Sequence, residues 1–246
     1  MSTQTPDAAA VREAVRSVTD PELDRSIVEL DYLAEVAVDD GDVTLALVLP
    51  TAWCSPAFAW MMATDARDAL RDHPATDAVR IELRDHMHAE EVTTGVNEGL
   101  SFAEAFDTAD GDVAGTRAEL DRKARLARQR DAVDALRDAG LSDAQVAALK
   151  RDDLTLEDGR ATVALDGFYV TLDADPLERY LEKATAVGVG VEPGDRVFAD
   201  RDGDSLTPEG VEEAQKAARL ARTNMGGQGG VCESLHAARN PELAGD

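Results

Sequence analysis

The spacing of apolar and polar residues predicts a small α+β module in the first ninety residues. Some segments have apolar side chains at helical intervals, and others alternate or are apolar throughout, as strands are. In chain order these are a helix over 7–18, strands over 33–38 and 43–49, a helix over 58–70 and a strand over 78–83. Asp40-Gly41 lies between the first two strands, and both residue types accept the positive φ that a tight hairpin turn requires. The pattern therefore predicts a module in which one helix connects a hairpin to a third strand.

After residue 90 the apolar spacing is mainly helical. Residues 102–139 are predicted to be mostly helical, with a weak point at Asp110-Gly111 and Gly115. Further helices are predicted over 141–150, with Ser142 as the N-cap, over 176–184 and over 208–222. Glu157-Asp158-Gly159 separates two short apolar runs and predicts a β-hairpin there. We therefore expect an α+β protein with two domains, residues 1–90 and residues 91–246. The second is predicted to be mainly helical, with a short hairpin and a glycine-rich end that contains a cysteine.

The charge of the chain limits its partners. Fifty Asp and Glu face 25 Lys and Arg, so the formal net charge is −25 at pH 7. Such a charge repels polyanions, which argues against nucleic acid or an anionic membrane as a partner. The acids are spread along the whole chain, as in proteins adapted to concentrated salt, and we expect a halophilic source. No apolar run is long enough to span a bilayer, and the N-terminus does not resemble a signal peptide, so a cytoplasmic location is predicted.

Cys54 is the first candidate functional residue. It lies in the loop that precedes the predicted helix over 58–70. Backbone N–H groups at a helix start and the positive end of the helix dipole stabilise a thiolate, the form that attacks electrophiles and binds metals. Thr51, at the end of the preceding strand, can donate a hydrogen bond to this sulfur. The alternative is a small buried cysteine that only fills space.

Two further groups of residues could provide metal ligands. His86 and His88 follow the last strand of the module, and alternate residues of an extended segment share one face, which suits metal coordination. Cys232 follows a glycine-rich stretch that we interpret as a loop leading into a helix, similar to the setting of Cys54. The alternatives are a solvated strand end for the histidines and a flexible tail for Cys232. A site shared by Cys54 and Cys232 is a hypothesis at this point.

The order of short motifs resembles the MIP18 (DUF59) family of iron–sulfur assembly factors. These motifs are Asp20-Pro21-Glu22-Leu23, then Ser26-Ile27-Val28-Glu29-Leu30, then the hairpin, then Thr51 with Cys54 and a nearby proline. The similarity covers roughly residues 8–85. This chain departs from the family pattern in two places: Asp31 stands where the family usually has glycine, and Ser55 separates Cys54 from Pro56.

The resemblance implies a non-catalytic factor that assembles or relays iron–sulfur clusters. It implies transient binding of a cluster or of iron, with Cys54 and Thr51 at the reactive position and Cys54, Asp20 and Glu22 as cluster-binding candidates. Cys232 lies outside the region of similarity and is a further cluster-binding candidate because of its own setting. The implied partners are the assembly machinery and client apoproteins such as oxygenase subunits, and a homo-oligomer is compatible with the sequence.

Two other functions are weighed against this one. The first is a metal-dependent enzyme, with zinc as the alternative metal, that uses Cys54 and the His86/His88 pair. The second comes from a slight similarity of residues 141–160 and 198–220 to tyrosine recombinases. The His-x-x-Arg motif of that family is absent, and the acidity of the chain opposes DNA binding.

Overall fold

The computed structural model describes residues 6–107, 112–165 and 167–239; over residues 221–239 it describes the backbone and a few side chains. The chain forms two compact units. The first comprises Met1–Gly115 with Met225–Asp246, and the second Thr116–Asn224. The first unit therefore extends well past the boundary predicted at residue 90.

The first unit contains the predicted order of helix, strand, strand, helix and strand. Its elements are α1 (Ala8–Ala14), β1 (Thr19–Asp20), β2 (Arg25–Ser26), β3 (Leu33–Asp39), β4 (Asp42–Val48), α2 (Pro56–Arg71), β5 (Ala78–Arg84), α3 (Ala89–Glu98) and α4 (Phe102–Ala105). The sequence pattern missed the two-residue ribbon β1–β2, because pairs this short carry no periodicity. The α+β class is confirmed.

The sheet of the first unit has the order β3-β4-β5. β3 and β4 are antiparallel around the predicted turn, where Asp40 and Gly41 have φ angles of 47° and 98°. β4 and β5 are parallel, paired from Asp42 with Ala78 to Val48 with Arg84. Parallel neighbours require a crossover, which α2 provides. The carboxyl ends of β4 and β5 therefore lie at the same edge of the sheet.

The core of the first unit lies between this sheet and α2. Both contribute fully or almost fully buried apolar side chains to one cluster, including Val43, Leu45, Leu47, Ile81 and Leu83 from the strands and Ala59, Met62, Ala63, Ala66 and Leu70 from the helix. The buried positions on α2 recur at three- and four-residue intervals, which is the apolar stripe that the sequence predicts.

α3 belongs to the first unit because it closes the outer edge of β5. Asn97 accepts a hydrogen bond from the N–H of Ile81 at 2.9 Å and donates one to its carbonyl at 2.7 Å. Thr93 Oγ1 accepts from the N–H of Leu83 at 3.0 Å. These side chains take the place of a fourth strand, so a boundary at residue 90 would cut through a helix that the sheet needs.

The second unit is built around another three-stranded sheet. Its elements are α5 (Ala114–Asp138), α6 (Asp143–Ala148), a 3-10 turn (Arg151–Asp153), β6 (Leu154–Glu157), β7 (Arg160–Leu165), β8 (Phe168–Asp173), α7 (Asp175–Ala186) and the first part of α8 (Pro208–Arg239). The first two residues of α5, and α8 from Met225 onwards, belong to the first unit. Ser142 caps α6 as predicted, accepting from the N–H of Gln145. The predicted hairpin is confirmed as β6 and β7, and β8 adds a third antiparallel strand that the sequence pattern missed. β8 buries Leu172 but exposes Phe168 and Tyr169, so its alternation is weak.

The C-terminal glycine-rich segment is helical, and the prediction of a loop there was wrong. α8 continues through residues 226–230 to Arg239. Glycine lowers helix propensity but keeps the backbone N–H, and proline is absent from the sequence between Pro208 and Pro241. The hydrogen-bond ladder can therefore continue, and Cys232 lies well inside a helix instead of near its start. Within the described part of the chain, no helix is long and apolar enough to cross a membrane.

Candidate functional site

The loop that carries Cys54 meets the segment after β5 at one edge of the first sheet. This follows from the parallel pairing of β4 and β5, whose following residues emerge side by side. The backbone N–H of Met87 donates to the carbonyl of Ala52 at 3.0 Å. His86 Nε2 lies 2.9 Å from the carbonyl oxygen of Cys54. Two hydrogen bonds thus hold the cysteine loop to the residues that follow β5.

The Cys54 sulfur is a free, half-buried thiol beside a hydroxyl group. Thr51 Oγ1 lies 3.4 Å from the sulfur and accepts a hydrogen bond from the backbone N–H of Trp53 at 3.3 Å. Because the Thr51 oxygen accepts from Trp53, its own proton is free to donate to the sulfur. A thiolate needs such a donor. Cys54 precedes the N-cap Ser55, and α2 begins at Pro56. The predicted proximity of Thr51, Cys54 and a helix start is confirmed.

His86 and His88 do not form the extended, same-face pair that the sequence predicted. Asp85 adopts a φ of 54° and ends the strand, and His88 is already the N-cap of α3. The ring centroids are 6.1 Å apart. His88 packs against Phe106 at a centroid distance of 5.5 Å and lies 3.2 Å from Glu91 Oε1. The two rings therefore have different contacts and do not face a common site.

Both nitrogens of the buried His86 ring contact the backbone. Nδ1 accepts from the N–H of His88 at 3.1 Å, and Nε2 faces the carbonyl of Cys54. The pKa of Glu91 is lowered by a hydrogen bond from its own N–H and by one from His88.

Among the described residues, no three His, Cys, Asp or Glu side chains lie close enough together to hold a metal ion. A metal or cluster on Cys54 would need ligands from elsewhere.

Asp20 and Glu22 shape the turn between β1 and β2. The Asp20 carboxylate accepts from the N–H groups of Glu22 and Leu23 at 2.9 and 3.1 Å and from the Tyr32 hydroxyl at 3.3 Å. Asp20 is buried, and burial raises the pKa of its carboxyl group, although the two backbone N–H groups and Tyr32 act against the shift. The carboxylate is occupied in holding this turn.

The side chain of Cys232 lies outside the described residues, although its backbone is in α8. Its predicted role as a ligand, and a site shared with Cys54, therefore stay predictions.

The sequence interpretation missed the apolar surface around the cysteine loop. Trp53 is 76% exposed and Met87 53% exposed. A cavity of about 400 Å³ lies between residues 50–53 and two residues near the C-terminal end of α8, Leu235 and Ala238. A tryptophan directly before the candidate thiol, in a chain with only 4% aromatic residues, is the sequence signal that could have pointed to this surface.

Comparisons with known proteins agree with the motif order in the first unit. Residues 8–83 match the family model described as "Iron-sulfur cluster assembly protein". Over 74 residues the chain is 34% identical to an "Iron-sulfur cluster carrier protein" of Synechocystis sp.. That alignment covers 30% of this chain and 20% of the relative, so the chain spans only about a fifth of the length of the protein it matches. No solved structure is significantly similar to the chain.

Proposed function

We propose, from the premise that residues 8–83 form an MIP18-type iron–sulfur assembly domain, that this protein binds an iron–sulfur cluster transiently at Cys54 and transfers it to client proteins. The cluster is cargo, and the protein acts as a carrier. The observation that carries this proposal is the free thiol of Cys54, held beside the Thr51 hydroxyl group where the carboxyl ends of β4 and β5 lie side by side.

The number of ligands favours transfer over storage. A stably held cluster usually takes four cysteine ligands, and the described residues near Cys54 supply one thiol. The remaining ligands would come from the donor or the acceptor protein, and cluster transfer would then be ligand exchange at Cys54. The Thr51 hydroxyl, 3.4 Å from the sulfur, would stabilise the thiolate between the two partners.

The surroundings of Cys54 suit a passing protein partner. Trp53 and Met87 expose apolar surface directly beside the loop, and exposed aromatic and methionine side chains are enriched at protein interfaces. The assembly machinery and client apoproteins would contact these side chains while they share the cluster. A cytoplasmic location, where thiols stay reduced, fits this role.

The His86/His88 geometry gives less support to the metal-dependent enzyme. A catalytic zinc site takes three protein ligands, but His86 turns one nitrogen to each of two backbone groups and His88 faces Glu91 and Phe106. Stoichiometric zinc without sulfide would nevertheless favour that enzyme, and it is a defined outcome of the experiment that follows.

The experiment is anaerobic reconstitution with iron and sulfide, followed by iron, zinc and sulfide analysis. We expect the wild type to retain both iron and sulfide, and Cys54→Ser to retain less than about a tenth as much, because serine is a poor ligand for a soft iron–sulfur core. Cys232→Ser is the matched control, since it removes the other cysteine of the chain. Equal iron and sulfide in Cys54→Ser and wild type would refute the proposal. Unchanged content in Cys232→Ser would remove Cys232 from the site.

A further inference from the structure

The buried ring of His86 has a defined tautomer. A backbone N–H can only donate, so the N–H of His88, 3.1 Å from Nδ1, requires that Nδ1 carry no proton. The neutral ring then has its proton on Nε2, which donates to the carbonyl oxygen of Cys54 at 2.9 Å. His86 as a whole is 8% exposed, so water competes little for either bond.

This hydrogen bond acts on the residue that carries the thiol. A carbonyl oxygen is rigidly linked to the planar peptide that follows it, so a bond to the Cys54 carbonyl restrains the backbone torsions that aim the Cys54 side chain. The N–H of Met87, which donates to Ala52, holds the loop at a second point two residues earlier. The loop between these points contains the exposed Trp53.

We propose that His86 is a positioning residue that holds Cys54 in its half-buried orientation through the Nε2–H to carbonyl hydrogen bond. This inference rests on the proposed function, since it assigns the His86 ring to the orientation of the cargo-binding thiol. His86 is thereby given a role in the site other than that of a metal ligand. His88, which packs on Phe106, has no part in it.

The two nitrogens of His86 can be tested separately. Glutamine places an amide nitrogen close to the Nε2 position of histidine, so His86→Gln can still donate to the Cys54 carbonyl. Asparagine places an oxygen close to the Nδ1 position, so His86→Asn can still accept from the N–H of His88 but does not reach Cys54. A purely structural role as the acceptor for the start of α3 would be rescued by asparagine and not by glutamine.

The readout is the rate at which iodoacetamide alkylates Cys54 in the full-length chain carrying Cys232→Ser. We expect alkylation about fivefold faster in His86→Asn, the factor that the loss of one hydrogen bond gives, and within about twofold of wild type in His86→Gln. His88→Gln is the matched control on the neighbouring ring and should alkylate at the wild-type rate. Circular dichroism establishes that each variant is folded. Asparagine and glutamine are both conservative replacements of histidine, so the comparison between them does not depend on a disruptive substitution.

The inference is overturned if His86→Asn alkylates at the wild-type rate, or if His86→Gln is as fast as His86→Asn. Iron and sulfide content, measured on the same variants, separates this inference from the proposed function. The expected alkylation pattern together with normal cluster content in Cys54→Ser would leave His86 as a positioning residue and refute cluster binding at Cys54. Equal alkylation rates in all variants would refute the inference, whatever the cluster content.

Discussion

The two units each pack helices against a three-stranded sheet, but among the described residues only the first unit has a parallel pair of strands. In the first unit, the crossover from β4 through α2 to β5 brings the loop after β4 and the segment after β5 to one edge. In the second unit β6, β7 and β8 form an antiparallel meander, so consecutive strands end at opposite edges. The comparison teaches that the site around Cys54 arises from the crossover, as in open α/β sheets where ligands bind beyond the carboxyl ends of the strands.

The two units also differ in how they satisfy buried polar groups. The first unit buries the carboxylate of Asp20 and uses Asn97 to cover a strand edge. The second buries the guanidinium of Arg125, which is 1% exposed. Arg125 donates to the Gln129 side chain at 3.0 Å, to the carbonyl of Ala199 at 2.9 Å and to the carbonyl of Asp200. The second unit therefore satisfies a buried cation with one side-chain amide oxygen and two backbone carbonyl oxygens.

The largest expected effect is in the second unit. Arg125→Leu removes the donor of three hydrogen bonds, and we expect it to lower the free energy of unfolding by about 3 kcal/mol. Chemical denaturation with hydrogen exchange on α5 and β7 measures the loss. The alkylation rate of Cys54 should stay unchanged, because the residues that hold its loop all lie in the first unit.

Arg128→Leu is the control for this prediction. Arg128 donates to the carbonyl of Arg179 and to Glu182, whose side chain is 55% exposed. Water can replace Arg128 at Glu182, so we expect a loss of only about 1 kcal/mol. Equal losses in the free energy of unfolding for the two variants would contradict the importance given to Arg125. A changed alkylation rate of Cys54 in either variant would show that the first unit depends on these arginines of the second.

The next effect concerns the close approach of α3 to α2 in the first unit. A Cβ at Gly95 would lie 2.7 Å from the Ala105 Cβ and 2.8 Å from two carbons of the Trp60 ring. We expect Gly95→Ala to destabilise the protein by about 2 kcal/mol through overpacking. Gly115→Ala, at an exposed helical position with open space around it, should stabilise by up to about 1 kcal/mol. Thermal unfolding measures both effects. Unfolding midpoints that shift in the same direction for the two variants would contradict the packing argument.

Much of the first unit could be predicted from the sequence because its signals are local. The Asp40-Gly41 turn, the apolar β4 strand and the stripe on α2 each depend on neighbouring residues, and the structure has each of them. The approach of Thr51 to Cys54 is equally local, since the two residues are three positions apart. Local periodicity also found α6 and its cap at Ser142.

The remaining features depend on contacts between residues far apart in the chain. The bond between His86 and Cys54 requires the parallel pairing of β4 with β5, and no spacing in the sequence encodes that register. The extended geometry predicted for His86 and His88 fails because β5 ends at Arg84. Asp85 has a positive φ, and His88 is already the N-cap of α3, so the two histidines do not share one face of a strand. Asp is among the few residues that adopt this conformation, so a break there was open to prediction.

A smaller effect tests the covered edge of β5. Asn97 exchanges two hydrogen bonds with Ile81 and donates a third to the carbonyl of Thr93 at 2.6 Å. We expect Asn97→Ala to cost about 1.5 kcal/mol, and Thr93→Ala, which removes the single bond to Leu83, to cost about half of that. Urea denaturation measures both. If Thr93→Ala costs as much as Asn97→Ala, the picture of Asn97 as a substitute for a strand is wrong.

The smallest expected effect is the pH dependence that Asp20 contributes. Burial raises the pKa of Asp20 above its ordinary value of 3.8, so between these two values the folded state binds more protons than the unfolded state. The free energy of unfolding therefore falls as the pH rises through this window, and the ionised carboxylate costs stability at neutral pH. Asp20→Asn does not titrate, so wild type should gain stability relative to this variant on acidification. Tyr32→Phe removes a hydrogen-bond donor that favours the ionised form of Asp20. The stability of this variant should therefore depend on pH more strongly than the stability of the wild type does. Unfolding midpoints measured from neutral pH towards 3.8 test both changes. A difference between wild type and Asp20→Asn that does not vary with pH would contradict the raised pKa of Asp20 and show that the buried carboxylate keeps one charge state over this range.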